Sequence, residues 1–326
     1  MRPIEYFKPT SLQEAIQALQ DEGAYALAGG MDLIPSLQEN ILPAKRVVNL
    51  KAIGEELLRG IGPTPNGLQI GALTTLVEIA KNETVRSRYT ALAEAAETVG
   101  SPQIRNVGTL GGNLCQRPRC WYFRNEHYHC LKKGGARCFA GDELGDNQYH
   151  AILGGGPCHI VHPSNTATAL RALNATVHVV GPQGRREIPI DQFFVLPRRN
   201  IMAENVLEPG ELVTHVTLPE PPRGFRSTFV ETGEREAFDW AISGAAVALV
   251  MNGAEVAEAR VVLHAVAPIP WRARAAEEAL KGQRLTPETI QRAAEAALEG
   301  AQPLSQNAYK IPLTQAMVRR ALQRLV

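Results

Sequence analysis

The opening of the chain alternates short apolar runs with amphipathic ones, and each rhythm predicts an element. SLQEAIQALQDEG, residues 11–23, places Ser11 and Glu14 at capping-box spacing ahead of an amphipathic run and Gly23 after it, which predicts a helix with Ser11 at the N-cap and Gly23 as C-cap. AYALAGGMDLIPSLQ reads as an apolar strand, small residues and a helical start, and VVNL (47–50) and GLQIGA (67–72) as further strands, a β-α-β opening. The alanine-rich stretch 75–99 predicts a helix ending at Gly100. SPQIRNVGTLGGN after it predicts a loop, with too many glycines for a regular element. Further on come a helix in ATALRALNA, a hairpin turning at 182–184 in TVHVVGPQGRREIPI, and a linker, EPPRG, at 220–224. ARVVLHAVAP then reads as a strand, TPETIQRAAEAALEG as a helix with Thr286 as cap and Pro287 at its first position, and a closing helix follows from about Leu313.

One stretch has no such rhythm. Residues 115–158 are rich in glycine, show little hydrophobic periodicity, and contain all five cysteines of the protein. A structureless insertion of this length inside a compact domain is unusual unless a ligand organises it.

Composition narrows the setting. A chain of 326 residues that is 44% hydrophobic can bury two or three compact units. Thirty-four Lys and Arg against thirty-three Asp and Glu leave no excess field for a polyanion, which argues against nucleic acid as a partner. The start, MRPIEYFKPTS, lacks a secretory h-region, and the best apolar run, AISGAAVALVM from Ala241, is shorter than the roughly twenty residues of a membrane helix. The expectation is a cytoplasmic protein without a membrane segment, where clustered thiols point to metal or redox chemistry rather than to disulfides.

AGG at 28–30 and GTLGGN at 108–113 are glycine stretches whose exposed amides suit phosphate oxygens, so that a dinucleotide pyrophosphate would fit the pair; tight turns are the plain alternative. Neither is the G-x-G-x-x-G of a Rossmann turn. Cys120, Cys130, Cys138 and Cys158 are spaced C-x9-C-x7-C-x19-C, with Cys115 left over. Zinc sites favour tight pairs, which only Cys115 and Cys120 provide, whereas an iron-sulfur cubane tolerates wide spacing. Buried thiols acting as small hydrophobes remain the third reading. Arg117, Arg119, Arg124, Lys132, Lys133 and Arg137 would offset the negative charge of a thiolate-held cluster, or else form an exposed basic loop; His127, His129, His150, His159 and His162 read as loop residues more than as ligands. No Ser/His/Asp or Cys/His constellation is legible, so no catalytic residue is named.

Taken in order, AGGMDL, IGALTT (70–75), GTLGGNLCQRPRCWYFRN, HPSNTA (162–167) and VAPIPWRARAAEEAL make the whole chain resemble the FAD-binding subunits of the molybdenum hydroxylases, the xanthine dehydrogenase family, and within it the subset with an extra 4Fe-4S cluster found in aldehyde oxidoreductase and 4-hydroxybenzoyl-CoA reductase. The resemblance implies an α+β fold. A two-subdomain FAD-binding domain of the vanillyl-alcohol-oxidase/PCMH type would span 1–218 (1–55 and 56–218, with a cluster-binding insertion at 115–158). A C-terminal α+β domain of the CO dehydrogenase flavoprotein type would span 224–326. FAD would be held by Ala28, Gly29, Gly30, Met31, Asp32, Leu33, Thr74, Gly108, Thr109, Gly111, Gly112, Asn113, Ser164, Asn165, Glu231 and Arg235, and the cluster by Cys120, Cys130, Cys138 and Cys158. Asn165 stands where many relatives have aspartate and Glu231 where many have lysine, while Arg235 matches; Cys115, after GGNL, reads as a packed thiol. The implied partners are a molybdopterin-binding large subunit, a small subunit with two 2Fe-2S clusters, and an external electron carrier such as ferredoxin or quinone, in a dimer of heterotrimers. A partner bearing a twin-arginine signal would carry the chain to the periplasm. The implied role is electron transfer, against which stand a self-sufficient FAD oxidoreductase of the same fold and a zinc-stapled module without flavin.

Overall fold

The computed structural model describes residues 3–326, folded as three sheets with helices between and behind them. The first sheet is parallel, in the order β1-β3-β2 (Glu5–Phe7, Ala24–Leu27 and Arg46–Asn49 for β1, β2 and β3), with Val47 of the central strand opposite Tyr6 on one side and Tyr25 on the other. The second is antiparallel, in the order β4-β5-β8-β6-β7, from β4 (Ile61–Thr64), β5 (Gly67–Gly71), β6 (Thr176–Gly181), β7 (Gly184–Pro189) and β8 (Leu212–Pro219). The third is antiparallel, in the order β12-β11-β10-β9, from β9 (Phe225–Thr232), β10 (Ser243–Asn252), β11 (Glu255–His264) and β12 (Trp271–Arg272).

The apolar run from Ala241 lies mostly in the ten-residue strand β10, and its lack of alternation has a simple cause: β10 is buried on both faces. Ala246 and Ala248 face a core shared with the second sheet and the helices Thr90–Glu97 and Asn165–Ala172. Ala245, Val247 and Leu249 face a separate core closed by the helices Arg274–Leu280, Pro287–Ala296 and Lys310–Gln323. One strand thereby joins the C-terminal unit to the rest. Among the described residues no helix is long and apolar enough to cross a membrane.

Three expectations need correction. Glu14 reaches past Ser11 to the backbone and hydroxyl of Thr10 (2.6 and 2.9 Å), although Ser11 does cap the helix, which stops at Ala18; Gly23 belongs to the turn before β2. The stretch 75–99 is three helices, Leu76–Lys81, Glu83–Arg88 and Thr90–Glu97, interrupted at Asn82 and Tyr89, whose extended or irregular backbone breaks the ladder. Residues 101–113 are not a loop. Pro102–Val107 is a helix with Ser101 as its cap and Pro102 in its first turn, and Leu110–Leu114 is another, capped by the Thr109 hydroxyl. Local caps and tertiary contact outweigh the low helical propensity of its two glycines: a Cβ on Gly111 would lie 3.0 Å from that of Ala72, so only glycine lets the turn settle on the second sheet.

Candidate cofactor site

The two glycine stretches meet. The turn after β2 carries Ala28, Gly29 and Gly30, and a Cβ on Gly29 would lie 3.0 Å from the Gly108 Cα and closer still to the Val107 carbonyl oxygen. The second stretch is pinned by Leu110 N–H to the Thr74 carbonyl, Gly111 N–H to the Ala72 carbonyl and Leu76 N–H to the Gly108 carbonyl (2.8–3.0 Å). Between them opens a cleft of about 300 Å³, within the lower range of small-molecule sites.

Ala28, Gly29, Gly30, Met31, Asp32, Leu33, Gly108, Thr109, Gly112, Asn113 and Asn165 line this cleft. Five other expected residues do not. Thr74 is buried with its hydroxyl on the Gly60 carbonyl, and Gly111 faces an adjoining cavity. Ser164 lies behind Asn113, donating to its Oδ1 at 2.6 Å; Thr166 donates to the same oxygen at 2.7 Å. Glu231 lies behind Asn165, whose amide donates to it at 2.6 Å. Arg235 sits in the turn after β9 with an exposed side chain beside Asp239. Sequence reasoning passed over Trp240 and grouped Arg119 with the cysteine stretch; both line the cleft, with the guanidinium 4.4 Å from the indole centroid. Burial brings Arg119 down to about 10 despite its carboxylate partner. No local pattern placed either residue at the cleft, because their convergence spans 121 positions of chain.

Asp32 ties the glycine turn to the cysteine stretch. Its carboxylate accepts from Arg119 (2.7 Å), Arg124 (2.5 Å) and the Arg117 backbone N–H (2.8 Å). Glu204 likewise pairs with Arg117 (2.7 Å) and the buried Lys132 (2.6 Å), and Arg137 pairs with Asp142 at 3.3 Å. These cations therefore meet carboxylates, and only part of their charge remains for any anionic group nearby. From the other side, Asn307 donates to the His150 carbonyl (3.0 Å), while the buried Lys310 donates to the carbonyls of Tyr149, His150 and Ala265 (2.8–3.2 Å). Apart from two short 3-10 turns, residues 116–163 form no regular element; such side-chain clamps act there together with backbone bonds such as Ala151 N–H to the His159 carbonyl (2.9 Å).

Within this stretch Cys120, Cys130, Cys138 and Cys158 line one small cavity of about 10 Å³, walled by Tyr122, Phe123 and Phe139. Cys130 and Cys158 are buried and the other two partly so. Burial pushes the Cys120 thiol up to about 12; the thiols of Cys138 and Cys158 share a hydrogen bond that draws the first down and drives the second up. His150 Nε2 lies 3.2 Å from Cys120 Sγ. Cys115 is elsewhere, on the wall of the glycine cleft. Among the described residues no three His, Cys, Asp or Glu side chains converge closely enough to hold a single metal ion.

Residues 2–221 match the family model described as the FAD binding domain in molybdopterin dehydrogenase, and residues 228–325 match the CO dehydrogenase flavoprotein C-terminal domain. The chain belongs to the FAD-binding subunits of the molybdenum hydroxylase family. It is 31% identical over 317 residues to the aldehyde oxidoreductase FAD-binding subunit of Escherichia coli, covering 96% of this chain and 95% of that one. It is 30% identical over 326 residues to the carbon monoxide dehydrogenase medium chain of Hydrogenophaga pseudoflava, covering 98% and 96%. The solved carbon monoxide dehydrogenase of Hydrogenophaga pseudoflava superposes with a TM-score of 0.77 at 28% identity, over 99% of this chain and 98% of that one. Quinoline 2-oxidoreductase from Pseudomonas putida superposes equally well, with a TM-score of 0.77 at 25% identity over 99% and 97%. As a member of this family the chain is an FAD-containing oxidoreductase subunit, and the α+β architecture expected from its motifs is the one observed.

Proposed function

We propose that the chain is an electron-transfer subunit holding FAD in the glycine cleft and a 4Fe-4S cluster in the thiol cavity, and linking molybdopterin and 2Fe-2S partner subunits to an external carrier. The observation that carries the cluster is the ring of four thiols. They come from four separate parts of the stretch and line one small cavity, a wide sequence spacing that suits a cubane with four separate iron corners.

For the flavin, the backbone amides around Gly29, Gly30 and Gly112 suit the diphosphate, and the apolar end walled by Leu76, Val99 and Ile104 suits a ring. When bound, FAD supplies the exchange of one or two electrons. The chain's own residues position and insulate. Asn113 is locked by Ser164 and Thr166, Trp240 and Arg119 close the cleft, and Asp32 fixes the glycine turn relative to the cysteine stretch so that the two sites keep one spacing. The names of the relatives, an aldehyde oxidoreductase among them, favour a dehydrogenase whose substrate chemistry lies on a molybdopterin subunit.

Co-expression with the neighbouring genes and affinity purification through this chain tests the reading. Recovery of a molybdenum-containing complex, with the isolated chain inactive on substrate and active only with artificial acceptors, is expected. Substrate turnover by the isolated chain would make it a self-sufficient oxidase instead.

A further inference from the structure

The cleft wall at Asn165 has a second layer. Asn165 opens the Asn165–Ala172 helix, and its amide nitrogen donates to Thr98 Oγ1 at 3.0 Å and to Glu231 Oε2 at 2.6 Å. Both N–H groups are thereby spent away from the cleft. The amide oxygen has no donor among the described residues, and since Asn165 lines the cleft it is the group that remains free for a ligand there. Turning the amide over would set its oxygen against the carboxylate, so Glu231 fixes which atom faces the ligand.

Glu231 itself sits in β9 without a Lys or Arg partner among the described residues. From β11, His264 Nε2 approaches to 3.5 Å, but burial holds that imidazole neutral, and its Nδ1 is 3.0 Å from the Thr168 hydroxyl. Lys310, on the last helix, lies beyond His264 and is occupied by three carbonyls. From the Thr90–Glu97 helix, Glu94 binds the Thr228 hydroxyl and the Phe229 N–H, a second carboxylate on the same strand. The neighbour across β10 is Gly244, which brings no charge.

We propose that Glu231 is a positioning residue for the flavin: through Asn165 it presents a neutral hydrogen-bond acceptor to the ring, and its own buried carboxyl takes up a proton as negative charge builds on the reduced ring. The proposal rests on FAD occupying the glycine cleft with its ring at the Asn165 end. Burial raises the Glu231 carboxyl to about 7, so its charge is poised to respond in the neutral range. An ionised Glu231 disfavours further negative charge nearby and a protonated one does not. The flavin potential should therefore fall more steeply with pH than it would without this group.

The test is the flavin midpoint potential of the purified FAD-loaded protein, read from the bleaching of its visible band, at about pH 6 and about pH 8. Glu231→Gln is expected to leave the potential unchanged at the lower pH and to raise it at the higher one. An equal offset at both pH values, or no offset, would overturn the proposal. Should the variant fail to fold, redox-difference infrared spectra of the unmodified protein decide: a carboxylic acid C=O band that changes on flavin reduction is expected, and its absence overturns the idea. A well-folded protein that takes up no FAD would instead remove the reading beneath it.

Discussion

One methyl group at Gly29 should pry the two glycine stretches apart. Its Cβ would lie 3.0 Å from the Gly108 Cα and nearer to the Val107 carbonyl oxygen, and both obstacles are backbone, so no side-chain rotation relieves the contact. The Val107–Gly108 segment is itself pinned by the bond from Leu76 N–H to the Gly108 carbonyl. Overpacking of this kind costs about 1–3 kcal/mol. Because the strained seam is the wall of the cleft proposed for FAD, most of that cost should appear in binding, as a Kd for FAD raised about 5- to 150-fold. The assay is titration of the apoprotein with FAD, followed by flavin fluorescence, for wild type, Gly29→Ala and the control Gly54→Ala, where an added Cβ meets nothing within 4 Å. Wild-type affinity in Gly29→Ala, or equal weakening in the control, would refute the placement of the cofactor between the two stretches.

Three further outcomes follow from the same geometry. His162 and His264 are buried and held neutral down to about 3, so below pH 6.5 the unfolded chain binds protons that the folded chain refuses. Stability should fall by roughly 1.4 kcal/mol per pH unit for each of the two as pH drops from 6.5 towards 3, which urea midpoints across that range would show; a flat profile would contradict it. Asp32→Asn leaves Arg119 and Arg124 without their anionic partner in a mostly buried site and should cost roughly 3 kcal/mol in urea unfolding, whereas a loss under about 1 kcal/mol would mark the pair as solvent-screened. Cys115→Ala should leave the iron content of the purified protein unchanged and Cys138→Ala should lower it, since only the second thiol lines the cavity; equal effects would argue against this ligand set.

Much of the architecture was legible because local chemistry and final environment agree. Thr286 and Pro287 open their helix as expected, and Val177 and Val179 alternate inward in the hairpin. The misreadings lie where tertiary contact decides. β10 resembles a short buried run of any kind until both of its faces are seen to be covered, and Gly111 and Gly112 become helical in a turn held by Gly111 N–H to the Ala72 carbonyl, Leu110 N–H to the Thr74 carbonyl and the Thr109 cap. In the site, the glycine stretches and the four thiols were visible as composition. The ion pairs of Asp32 and the approach of Trp240 and Arg119 were not, since neither leaves a mark in sequence spacing. Glu231 shows the reverse case: a position expected at the cofactor lies one layer behind the cleft wall, bonded to Asn165, which lines it.

The most direct measurement is the visible spectrum, with iron, acid-labile sulfide and zinc analysis, of protein isolated without oxygen together with its partner subunits and resolved to this chain. About four iron and four sulfide per chain alongside one FAD, with no zinc, is the predicted result. A chain that carries zinc, or that retains neither iron nor flavin, would contradict the pairing of a flavin cleft with a cluster-holding cavity.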